Sequence, residues 1–227
     1  MKITYIHHSS FSVEINKGIL LFDYYKGNLP KFDENKKLYV FSSHSHYDNF
    51  DKAIFDLEKT HPNVTYILSN DIHVPKKDNI KFMGANERLL VDDLEIKTLE
   101  SSDLGIAFIV KVEDKTIYHA GDLNWWHWEG ENTPEDNKYA ENLFKKSIDK
   151  IKEKSIDVAF LPLDSRQGNF YYLGFDYFMR NTNTNLAFPM HFWRTYSLSQ
   201  KLKNSPYATS YKDKIIDINS EGETFNI

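Results

Sequence analysis

The sequence predicts an α+β fold in which two β-sheets pack face to face with helices outside. Three observations point there. Strand-like segments dominate the first half and alternate with helical segments in the second. Turn signals recur throughout. No repeat, linker or low-complexity segment divides the 227 residues, so 1–227 is expected to form a single domain.

Residues 2–6 alternate as a strand and end at His7-His8-Ser9-Ser10. Residues 11–15 and 19–22 form a hairpin across Asn16-Lys17-Gly18, and the second arm ends at Asp23. An apolar strand at 38–41 leads to Ser42-Ser43-His44-Ser45-His46-Tyr47-Asp48-Asn49. Residues 51–60 place Ile54 and Leu57 at helical spacing, and His61-Pro62 closes that helix. Further strands are expected at 64–68, 80–83, 88–91 and 94–99, the last two joined by a turn at Asp92-Asp93. Residues 106–112 and 116–118 pair across Glu113-Asp114-Lys115 and run into His119-Ala120-Gly121-Asp122.

An aromatic loop over 123–134 carries Trp125, Trp126 and Trp128. Residues 135–153 read as the longest helix. A strand at 158–161 ends near Asp164, a helix covers 174–181, and a strand at 186–190 ends at His191. Residues 196–203 look helical, and 214–218 and 224–227 read as closing strands.

Composition removes several function classes. Apolar residues make up 41% of the chain, which suffices for a sizeable core. A net charge of -5 without a dense Lys/Arg block argues against a nucleic-acid surface. Without cysteine, thiolate metal sites and disulfides are impossible, so any metal rests on His, Asp, Glu or neutral oxygen groups. No apolar run approaches the ~20 residues of a membrane span, and the start lacks a signal-peptide core, so a soluble, cytoplasmic protein is expected. An assembly of identical copies is compatible with the sequence.

His44, His46 and Asp48 alternate just past a strand end, and alternate residues of an extended chain point the same way. Imidazole with carboxylate suits zinc, and also iron or manganese. His8, Asp122, Asp164 and His191 also follow strand ends, where the sheet fixes polar groups while the loops stay open.

These motifs resemble the metallo-β-lactamase superfamily of metal-dependent hydrolases. Its mark is a His-x-His-x-Asp-His run after a strand, a later Gly-Asp whose Asp bridges two metals, and a final His after a late strand. The matching positions are His44, His46, Asp48, Asp122 and His191. His8-Ser9 and Tyr118-His119-Ala120-Gly121-Asp122 further resemble the branch that includes ascorbate-6-phosphate lactonase. The resemblance implies a four-layer αββα fold, two mixed β-sheets sandwiched between helices.

The chain departs from this pattern twice. Asn49 stands where the family carries a second-site His, and no His stands at 100–103, just after the 94–99 strand, where the family's remaining first-site His is expected. Asn49 and Asp103 are therefore added as candidate metal ligands, with Glu100 an alternative carboxylate, which shifts preference toward harder metals. The implied cofactor is one or two divalent ions, zinc first, with manganese or iron as alternatives. The implied reaction is attack of a metal-activated water on a small anionic ester, lactone or phosphodiester, with Asp48 as metal ligand or base. Substrate contacts are assigned to His8, His119, Asn124, Trp126, Asp164 and Arg166. A metal-poor relative that binds a ligand without hydrolysing it is the competing reading, motivated by the two missing imidazoles.

Overall fold

Thirteen strands run through the computed structural model, which describes residues 1–227. In chain order they are β1 (Lys2–His7), β2 (Ser10–Glu14), β3 (Gly18–Phe22), β4 (Lys37–Ser42), β5 (Thr65–Ser69), β6 (Ile80–Met83), β7 (Arg88–Val91), β8 (Leu94–Glu100), β9 (Ile106–Val112), β10 (Lys115–His119), β11 (Ser155–Pro162), β12 (Asn183–Met190) and β13 (Thr224–Asn226). The α-helices are α1 (Pro134–Asp149), α2 (Leu173–Asn181) and α3 (Leu198–Lys203). Two compact units result, Met1–Gly84 with Asn219–Ile227, and Ala85–Ile218.

The first unit is one mixed sheet of order β13-β1-β2-β3-β4-β5-β6. From β13 to β3 the pairing is antiparallel, and from β3 to β6 it is parallel. Strands β3, β4 and β5 are buried along nearly their whole length, as expected of parallel strands rich in branched and aromatic residues. Ile19 and Leu21, Leu38 and Val40, and Tyr66 and Leu68 repeat at a period of two and feed one core. The predicted helix after Asp48 is a 3₁₀ helix, Lys52–Lys59, whose first turn is capped by the Asp51 carboxylate accepting from the Ala53 N–H at 2.7 Å.

The second unit is a mixed sheet of order β12-β11-β10-β9-β8-β7. Here β10, β11 and β12 are parallel, and the rest is antiparallel. Helix α1 starts where Thr133 and Asp136 form a reciprocal capping box with Pro134 in the first turn. It stops at Asp149, four residues short of the predicted end. Glu153 takes a left-handed φ of 60° and its N–H turns to the Asn181 carbonyl. The 3₁₀ turn Ser165–Phe170 was not anticipated; Asp164 caps it by accepting from the Arg166 N–H at 2.9 Å.

One predicted strand does not form. Residues 214–218 yield a 3₁₀ turn, Lys212–Lys214, and a single bridge of Ile215 to Ala187. The neighbouring Asp217 carboxylate instead accepts from Ser199, Gln200 and Lys203, which ties this segment to α3. No helix is long and apolar enough to cross a membrane.

Candidate metal-binding clusters

In the first unit the chemistry gathers where the parallel strands β3, β4 and β5 end. Residues 43–50 form no extended continuation of β4. The N–H groups of Asn49 and Phe50 both turn back to the His46 carbonyl, at 3.0 and 2.9 Å. Convergence of His44, His46 and Asp48 therefore comes from a turn, not from the period of two expected of a strand. The result is nonetheless a cluster: one ligand atom from each of the three lies within 4.8 Å of the others.

Flanking strands grip this turn from both sides. Asp23, just past β3, accepts from the Ser43 N–H and from the Ser43 hydroxyl, each at 2.7 Å. Asp71, just past β5, accepts from the Ser45 N–H at 2.8 Å. Asp23 is fully buried and holds a left-handed φ of 44°. Such backbone costs on the order of 1–3 kcal/mol in a non-glycine residue, and it persists because the Phe41 carbonyl and Ser43 fix Asp23 in place.

This relay settles the His44 tautomer. The Ser43 hydroxyl has one hydrogen, and it goes to Asp23. At 2.9 Å from Ser43 Oγ, His44 Nδ1 must therefore donate, which leaves the lone pair on Nε2. That nitrogen faces Asn49 Nδ2 at 3.3 Å, beside His46, whose ring centroid lies 4.7 Å from that of His44. A neutral imidazole with its lone pair turned into a carboxylate-bearing cluster is the form that ligates a metal. Asn49 is fully buried, and its Oδ1 finds no hydrogen-bond partner. An orphaned acceptor next to these donors suits a bound cation. His8, buried and at φ 51°, places Nε2 3.7 Å from Asp48 Oδ2.

The second unit repeats the plan on β10, β11 and β12. Asp122, Asp164 and His191 follow the three strand ends. Asp164 Oδ2 accepts from His191 Nδ1 at 2.9 Å. Burial alone would push the Asp164 carboxyl up, but His191 and the Arg166 fork outweigh it and hold the group at about 2. Both Nε and Nη2 of Arg166 donate to this carboxylate, so much of the guanidinium expected to contact substrate is turned inward. Its Cζ also lies over the Trp128 and Trp193 rings, at 5.5 and 4.8 Å from the ring centroids.

With Nδ1 donating to Asp164, His191 Nε2 faces Asp122 Oδ1 at 3.7 Å. Burial lowers the His191 pKa, but the Asp122 and Asp164 carboxylates outweigh it and raise it. A lone pair facing a carboxylate calls for a proton or a metal cation between them. Asp103, after β8, has a carboxylate oxygen within 4.8 Å of one from Asp122, so the expected carboxylate does approach the Gly-Asp motif. Glu100 belongs to no such group and ends β8, its carbonyl accepting from Ser147.

The remaining candidates separate. Trp126 is buried, donates Nε1–H to the Asp122 carbonyl at 2.9 Å, stacks on Trp128 with planes 5° apart, and lies 5.4 Å from the His191 ring. Trp125 faces away from that group, under the Lys145 ammonium at 4.2 Å and against Tyr177. Asn124 is buried and donates to Gln167 Oε1 at 3.1 Å. His119 is fully buried against Phe160, its Nδ1 accepting from the Gly121 N–H. Sequence reasoning missed Asp23, Ser43, Asp71, Gln167 and Trp193. Asp23 was detectable, because it too is a polar residue at a strand end.

A family model described as the β-lactamase superfamily domain matches residues 2–129, more than half of the chain. A UPF0173 metal-dependent hydrolase of Korarchaeum cryptofilum is 26% identical over 133 residues, covering 54% of this chain and only 60% of that protein. Another, of Opitutus terrae, is 25% identical over 254 residues that cover both chains in full. Among solved structures, Igni18, a metallo hydrolase from Ignicoccus hospitalis, aligns over 100% of this chain and 98% of its own with a TM-score of 0.66. At 20% identity that likeness speaks for the fold alone. Two mixed sheets, strand-end histidines and carboxylates, and the family match together make this chain a member of the metallo-β-lactamase superfamily.

Proposed function

We propose that the chain is a metal-dependent hydrolase acting on a small, anionic ester, lactone or phosphodiester. One observation carries the reading: the Asp23–Ser43–His44 relay holds the His44 Nε2 lone pair toward His46 and Asp48. A buried neutral imidazole whose lone pair is fixed beside a second imidazole and a carboxylate is the arrangement that metal-ligating histidines adopt. The family match extends from residue 2 to 129, into both compact units, which supports reading 1–227 as one functional domain.

In this reading His44, His46 and Asp48 are metal ligands in the first unit, and Asp122 and His191 are metal ligands in the second, with Asp103 available beside Asp122. Asn49 supplies a neutral oxygen where a family His would give an imidazole. The metal, when bound, lowers the pKa of water to near neutrality and polarises the substrate oxygen. Asp48 orients and deprotonates the nucleophile through its carboxylate, and His8 faces that carboxylate and can take up the proton. Asp164 fixes His191 in its Nδ1–H form, and Arg166 holds Asp164 ionised. Trp126 and Trp128 give an apolar wall beside His191 against which a substrate ring can stack. Zinc fits the imidazoles, and the added carboxylate of Asp103 widens the choice to manganese or iron.

Metal analysis of protein purified without chelator, followed by a panel of chromogenic phosphodiesters, lactones and esters, tests this. Hydrolysis that a chelator abolishes and added metal restores is the expected result. Protein that neither carries nor takes up zinc, manganese or iron is the non-catalytic, ligand-binding relative that the two missing imidazoles would favour.

A further inference from the structure

Away from both clusters, a cleft of about 430 Å³ opens on the second sheet, between the end of α1 and strands β7–β10. Its size falls within the range of small-molecule sites. On β8, Leu94, Ile96 and Thr98 are buried, while Glu95 and Lys97 alternate with them toward the cleft. The floor is apolar, made by Leu99, Ile109 and Ile151, each at most 9% exposed. The rim is basic.

Arg88 and Lys97 sit directly opposite each other in the β7–β8 register, a like-charge arrangement that destabilises a ladder. Lys111 lies directly across from Glu95, yet the two form no ion pair, and Lys154 also lacks a carboxylate partner. Lys150 binds the neutral Asn86 side chain. Lys150 and Lys154 follow a helix C-terminus, which by itself favours cations there. No such reason applies to Arg88, Lys97 and Lys111, which are on strands. Five basic side chains face two acidic ones, Glu87 and Glu95, in a chain whose net charge is -5. The concentration of positive charge is therefore local and runs against the charge of the whole.

We infer that this cleft is a second ligand site, for a small organic phosphate. Its flat apolar body lies on Leu99, Ile109 and Ile151, and its phosphate is held by Lys97 and Lys111 with Arg88 and Lys154 at the rim. The bound anion relieves the Arg88–Lys97 repulsion, and the apolar floor rejects inorganic phosphate as a sufficient ligand. The site is independent of the proposed hydrolysis, since no metal-ligand candidate lines it.

Adenosine 5′-monophosphate serves as the probe, titrated calorimetrically at low salt into chelator-treated full-length protein, so that metal held elsewhere cannot capture the phosphate. Saturable binding is expected, with adenosine and inorganic phosphate each weaker by about tenfold or more. The K97E/K111E variant should bind about tenfold more weakly or worse, and K97Q/K111Q should follow in the same direction. K31E/K212E makes the same change of net charge at exposed lysines outside the cleft and should bind like the parent. Absence of binding, equal binding of adenosine, or an equal loss in K31E/K212E overturns the proposal.

Discussion

His44 and His191 are both buried imidazoles just past parallel strand ends, and both are oriented through Nδ1. The means differ. His191 meets the Asp164 carboxylate directly at 2.9 Å, and Arg166 backs that carboxylate with a fork of donors. His44 meets a serine hydroxyl, and the carboxylate of Asp23 stands one bond further back. A direct carboxylate fixes the tautomer and makes the ring more basic; a hydroxyl relay fixes the tautomer with less charge at the ring. Two ways of presenting a lone pair thus coexist in one chain, and the more strongly charged one faces a carboxylate, Asp122.

Substitutions rank this difference. Asp164→Ala should have the largest effect. It leaves the Arg166 and His191 groups without their buried partner, at a cost of about 3–5 kcal/mol, read as a lowered midpoint in denaturant unfolding. Asp164→Asn keeps the shape and removes the charge, and metal affinity measured by chelator competition should fall about 10–100-fold. Asp23→Asn should cost less, near the lower end of that range, because Ser43 still stands between it and His44. If Asp23→Asn proves as damaging as Asp164→Asn, the hydroxyl relay carries as much charge as the direct contact and the contrast collapses. Ser43→Ala frees His44 to take the other tautomer, so it should weaken metal binding more than Asp23→Asn does.

The backbone below the second cluster offers a structural check. A Cβ on Gly174 would lie 1.8 Å from Asn124 Oδ1 and 2.9 Å from the Trp125 nitrogen. Gly174→Ala should therefore force the Asn124–Gln167 contact apart and destabilise by about 1–3 kcal/mol. Metal bound through His44, His46 and Asp48 should be retained in this variant.

The strands were legible because their residues are branched, aromatic and apolar in short runs. Ile80–Met83, Arg88–Val91 and Ile106–Val112 fall where the sequence places them. The residues of the candidate clusters were legible for a different reason, the recurrence of His and Asp just past strand ends. What the sequence hid is what depends on partners distant in the chain. Asp23 and Ser43 are 20 residues apart, and only the β3–β4 register brings them together. The turn over 43–50 was misread as extended, because alternation of His and Asp imitates a strand while the backbone closes on the His46 carbonyl. The segment 214–218 was misread as a strand, because its apolar alternation says nothing of Asp217 binding α3. Asn49 stood out as a departure from the family, but its orphaned Oδ1 and its approach to His44 Nε2 are properties of the fold.

Asn49→His restores an imidazole at a buried position 3.3 Å from a metal-ligand candidate. It should raise metal stoichiometry without large loss of stability, and unchanged stoichiometry would mean that position 49 does not contribute to a metal site.

The most direct measurement is metal content per chain, taken on protein purified without chelator and again after stripping and reloading with zinc, manganese or iron. Tight retention of at least one equivalent is the predicted result, with the metal held at His44 lost in His44→Ala and any metal held at His191 weakened in Asp164→Asn. Protein that stays metal-free under all three ions, with His44→Ala indistinguishable from the parent, would contradict the reading of these clusters as metal ligands.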